Sequence, residues 1–87
     1  MVEDATAAIR HFPDRSRAIA DLVVRDESFR DMCADFAMAQ AELQKWRAST
    51  EPFRERRIGE YGILVEELAA EIAAALDAAA IVSFPRR

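Results

Sequence analysis

The stretch Phe29-Arg30-Asp31-Met32-Cys33-Ala34-Asp35-Phe36-Ala37-Met38-Ala39-Gln40-Ala41-Glu42-Leu43-Gln44-Lys45-Trp46 decides the fold. Its apolar residues Phe29, Met32, Phe36, Ala39, Leu43 and Trp46 step by 3, 4, 3, 4 and 3. That is a heptad with apolar a and d positions, sustained over about two and a half repeats. The spacing predicts a helix over 27–48, roughly 33 Å long at 1.5 Å per residue. Asp26, just before it, is of the residue type that caps helix N-termini.

After this stretch, Ser49-Thr50-Glu51-Pro52 reads as a stop and a restart. Thr50 can cap the next helix, and Pro52 is tolerated in its first turn, where the missing N–H costs nothing. Beyond it Ile58, Tyr61, Val65, Leu68, Ile72 and Ala75 again step by 3, 4, 3, 4 and 3, with Leu64 and Leu76 widening the stripe. The pattern predicts a second long helix over 51–80, ended by Pro85. Gly59 and Gly62 weaken it by about 1 kcal/mol each relative to alanine, and are expected to admit a neighbouring backbone or mark a bend. Two such helices joined by about four residues lie antiparallel. Upstream, Pro13 and Asp14 suit a first turn, and Ile19, Leu22 and Val23 mark a short amphipathic helix over 14–24. No glycine or proline separates it from the heptad, so one helix over 14–48 stays open; a break near Asp26 is preferred. Residues 1–11 and 82–87 are expected as tails.

The expected architecture is all-α, a single helical domain over 1–87: an antiparallel, coiled-coil-like helical hairpin with a short N-terminal helix against its open end. Composition agrees. The chain has 87 residues, 18 of them alanine, with only two glycines and three prolines. A β-sandwich or barrel needs turn residues about every 8–12 positions, which so few glycines cannot supply. Disorder is excluded by five Phe, one Trp and one Tyr beside nearly cancelling charges, net −4. A chain this short buries only roughly 60% of its unfolded surface, and small folds need a supplement. Cys33 is the only cysteine and no Cys/His group has metal-ligand spacing. Oligomerisation is therefore the expected supplement, with a homodimer, a helical bundle, built on Phe29, Met32, Phe36, Leu43, Trp46, Ile58, Tyr61, Val65, Leu68 and Ile72.

Charge is polarised. Lys45, Arg47, Arg54, Arg56 and Arg57 gather near the turn, opposed by Glu51 and Glu55 alone, while Glu60, Glu66, Glu67, Glu71 and Asp77 follow with no basic residue between them. The basic tip is the candidate contact for a protein partner or an anion. Ordinary readings are intrahelical pairs such as Arg56–Glu60, worth a few tenths of a kcal/mol, or pairing of one copy's tip with another's acidic helix. Counterion-release binding of nucleic acid needs several phosphate contacts and usually a strong basic excess; a pI near 4.9 argues against it.

His11, the only histidine, has no evident acid or nucleophile beside it, as a general base would need. Cys33, close to the stripe, reads as a small buried hydrophobe. No phosphate loop, nucleophile elbow, zinc pattern or EF-hand loop is present, and no cofactor is expected. Small all-helical enzymes of the chorismate-mutase kind hold a dianion with arginines and a lysine. Here the arginines lie mostly outside the core-facing heptad positions and would not converge. Met1-Val2-Glu3-Asp4 is unlike a signal peptide, and Leu68 to Val82 is too short and too charged to span a bilayer. The expectation is cytoplasmic.

Phe12-Pro13, Ile19, Leu22, Asp26, Phe29, Met32-Cys33, Asp35-Phe36 and Leu43, continuing through Trp46-Arg47-Ala48-Ser49, Glu60-Tyr61, Leu64, Glu67-Leu68 and Glu71-Ile72, resemble small uncharacterised bacterial helical-hairpin proteins, the YdcH-like family being the nearest that can be named. The likeness covers about residues 12–72. The chain departs from it in lacking a lysine-rich character, in Gly59 and Gly62, and in an alanine-rich C-terminal part. The resemblance implies a self-associating helical hairpin and brings no catalytic residue. The functional expectation is a small non-enzymatic interaction or adaptor protein that self-associates and binds a protein partner. The alternatives are a module or enzyme taking an anionic small molecule through arginines, and a weak nucleic-acid accessory.

Overall fold

Asp26 divides the first half of the chain. Its backbone is extended (φ −131°, ψ 107°), which ends one helix, and its carboxylate accepts from the Phe29 N–H at 3.1 Å, which starts the next. Arg30 locks the corner by donating to the Val23 carbonyl at 3.1 Å, satisfying an acceptor at the end of the preceding helix. The computed structural model describes residues 3–82, with side chains over 5–80. Its elements are α1 (Glu3–His11), a 3-10 turn (Pro13–Arg15), α2 (Ser16–Arg25), α3 (Glu27–Arg47) and α4 (Arg54–Val82). Among the described residues there is no strand, so the chain is all-helical, as its composition implies.

Residues 1–11, expected as a tail, instead carry α1. Ala5 and Ala8, three apart on one face, are 3% and 0% exposed. Ile9 and Phe12 pack beside them. This is an i, i+3, i+4, i+7 stripe, inconspicuous in the sequence because half of it is alanine. Arg10 sits in the last turn, where a cation suits the negative helix end. The Phe12 N–H still donates to Ala8 at 2.9 Å; Pro13 then sets the 3-10 turn that leads into α2.

The chain folds back at residues 48–53, and α3 and α4 pack along one another in the most extensive helix–helix contact, with α1 mainly against α3. The turn is built differently from expectation. Ser49, not Thr50, makes the local bond, its Oγ accepting from the Glu51 N–H at 3.0 Å. α4 begins at Arg54, beyond Pro52, and the Arg57 N–H reaches the Phe53 carbonyl at 3.0 Å. α4 continues through Val82, two residues past the expected end; Pro85 lies outside the described residues. Apart from its own helix backbone and chain neighbours, neither Gly59 nor Gly62 has an atom within 4 Å of where a Cβ would stand, and neither has a positive φ. They admit no neighbouring backbone.

The core sits at one end of this pair. Ala5, Ala8, Ile19, Leu22, Phe29, Cys33, Phe36, Ile72 and Leu76 form one buried cluster, to which all four helices contribute. At the turn, beyond the reach of α1 and α2, α3 and α4 face each other, and Trp46, Ile58 and Tyr61 are no more than half-buried. The reason is reach: α1 and α2 have 9 and 10 residues, about 15 Å each, against 29 residues in α4.

Candidate interaction surface

α3 presents three strips along its length. Phe29, Cys33, Phe36 and Leu43 face the core and are buried. Ala37, Gln40, Ala41 and Gln44 lie on one flank, where Ala7 and Arg10 of α1 share a cleft with them. Asp35, Met38 and Glu42 lie on the other flank and line a groove closed on its far side by Tyr61, Leu64 and Leu68 of α4. At 100° per residue the two flanks are nearly opposite, so α1 covers one and leaves the other open.

The open groove holds about 310 Å³. Met38 is 68% exposed and Leu64 40%. Single exposed apolar residues are ordinary; here two large ones share one concavity with Tyr61 and Leu68, beneath acidic rims at Asp35 and Glu42. Phe53 (57%) and Ile63 (61%) add exposed apolar surface nearer the turn. Of the residues expected to form the core or self-association stripe, Phe29, Phe36, Leu43 and Ile72 are buried, while Met32, Trp46, Ile58, Tyr61, Val65 and Leu68 are half-buried. Met38 escapes a heptad reading because it stands off the a and d positions, and its neighbours three before and four after are the carboxylates Asp35 and Glu42, so no apolar periodicity signals it.

The basic residues of the tip do not converge. Lys45 pairs with Glu42 at 3.3 Å and Arg54 with Glu55 at 2.9 Å. Arg54 also donates to the Arg47 carbonyl at 3.1 Å, bracing the turn. Arg57, rather than the expected Arg56, pairs with Glu60, at 2.7 Å, and lies 5.9 Å from the centroid of the Trp46 ring. Arg56 stands 6.0 Å from the Phe53 centroid. Exposed pairs of this kind contribute about 0–1 kcal/mol. Arg47 instead lines the α1–α3 cleft with Arg10, Gln40 and Gln44, and among the described residues no carboxylate lines that cleft.

His11 is exposed at the end of α1, edge-on to Phe12 and Phe36 at centroid distances of 4.8 and 5.3 Å. Its ring shields the core margin. Cys33 is fully buried within the cluster that α1 and α2 close. Among the described residues no group of three or more His, Cys, Asp or Glu could hold a metal ion, and no helix is long and apolar enough to cross a membrane. A scan against protein-family models, a search of curated proteins and a search of solved structures each return no match.

Proposed function

We propose that this chain is a non-enzymatic interaction protein whose α3–α4 hairpin docks a protein along the open groove, a second copy of itself included. The observation that carries the reading is the one-sidedness of the fold. α1 and α2 close the core end, and α1 covers one flank of α3, while the groove along the opposite flank keeps Met38 of α3 and Leu64 of α4 exposed. Burying such side chains contributes about 25 cal/mol per Å² of apolar area. Charged rims set orientation more than affinity. Self-association, which the YdcH-like resemblance also implies, and a cytoplasmic setting belong to the same proposal. Binding of an anionic small molecule, the alternative, finds better support in the α1–α3 cleft with Arg10 and Arg47 than at the turn.

The test compares wild type with Met38→Asp, after circular dichroism shows equal helicity. Both are immobilised and offered the free chain and an extract of the source cells. The reading expects at least one bound protein, the chain itself or another, to be lost with Met38→Asp. Identical binding by the two forms overturns it.

A further inference from the structure

The charge order along α4 bears on what occupies the groove. Arg54, Arg56 and Arg57 stand at its start, and Glu60, Glu66, Glu67, Glu71 and Asp77 follow without a basic residue. A parallel neighbour would set like charges side by side. An antiparallel one sets the basic start against the acidic remainder, twice over if a two-fold axis relates the copies.

The register follows from helix geometry. Across a two-fold at one residue, positions equally far before and after it meet. Arg57 and Glu71 each lie seven residues from Leu64, about 10.5 Å along the axis and two turns away, hence on its face. Tyr61 and Leu68, three before and four after, flank it on the same face and line the groove with it. The three points therefore read basic, apolar, acidic on one exposed strip, self-complementary when reversed. Asp35, on the α3 rim, adds charge of the right sign at the acidic end. Arg57 pairs with Glu60 through an exposed bridge whose side chains are 45% and 52% accessible, so releasing it costs little.

Resting on the interaction reading above, we propose that the groove binds a second copy of this chain, antiparallel about a two-fold at Leu64, with Arg57 of each copy facing Glu71 of the other. The experiment uses the full chain and sedimentation at micromolar concentration. Wild type is expected as a dimer. Arg57→Glu or Glu71→Arg alone should weaken association by about tenfold or more, since each replaces two attractions by two repulsions. An equimolar mixture of the two variants should recover it, because the mixed pair regains both attractions. Leu64→Cys should form an intermolecular disulfide under mild oxidation faster than Ala70→Cys, which is exposed but lies about 120° round α4 from Leu64, off the proposed strip. A monomeric wild type overturns the inference and leaves the interaction reading to the Met38→Asp comparison. A dimer whose variants do not recover on mixing, or whose Leu64→Cys links no faster than Ala70→Cys, overturns the register and with it the inference.

Discussion

Replacing both glycines of α4 with alanine should stabilise this protein, and the size of the gain follows from their surroundings. Gly59 and Gly62 lie inside a 29-residue helix, without positive φ and with open space for 4 Å around the position a Cβ would take. A methyl group there meets no obstacle. Glycine costs a helix interior about 0.8–1.0 kcal/mol relative to alanine, chiefly because the unfolded chain is freer. Gly59→Ala with Gly62→Ala should therefore add about 1.5–2 kcal/mol. For a chain of this size each kcal/mol moves the thermal midpoint by about 4–8 °C, so the double variant should melt roughly 6–16 °C higher. Circular dichroism at 222 nm, at fixed protein concentration because association raises apparent stability, makes the measurement. An unchanged or lowered midpoint would mean that α4 is not continuous there, or that the glycines pack against something that needs the space.

Two further outcomes test the other end. Asp26→Ala removes the carboxylate that accepts from the Phe29 N–H and should cost about 1 kcal/mol; a urea midpoint equal to wild type would show that the α2–α3 corner is held by other bonds. Ala8→Leu forces a larger side chain into a site that is 0% exposed and should cost about 1–3 kcal/mol; a neutral result would mean that α1 does not dock on α3.

Much of the fold is legible in particular residues. The heptad from Phe29 to Trp46 specifies α3 to within a residue, since alternating steps of three and four keep one face apolar only in a helix. Asp26 marks the break because a short acceptor side chain can satisfy the first free N–H groups. The turn is less legible. Ser49 and Thr50 offer the same chemistry one residue apart, and sequence does not say which hydroxyl the chain will bring to the Glu51 N–H. α1 is hidden for a plainer reason. Its buried face is partly alanine, which helps a helix everywhere and signals burial nowhere.

The candidate groove is legible only in pieces. Tyr61, Leu64 and Leu68 belong to the apolar stripe of α4, yet the stripe does not say which edge of it stays open. That depends on where α1 lies, and α1 takes one flank of α3, with Ala7 and Arg10 beside Gln40 and Ala41. Amino-acid order by itself determined that the chain is helical, where it turns, and which faces are apolar, because periodicity and capping act within a few residues. Tertiary structure alone decided which of those faces is covered and that Met38 and Leu64 share an open groove, because coverage depends on contacts between segments far apart in the chain.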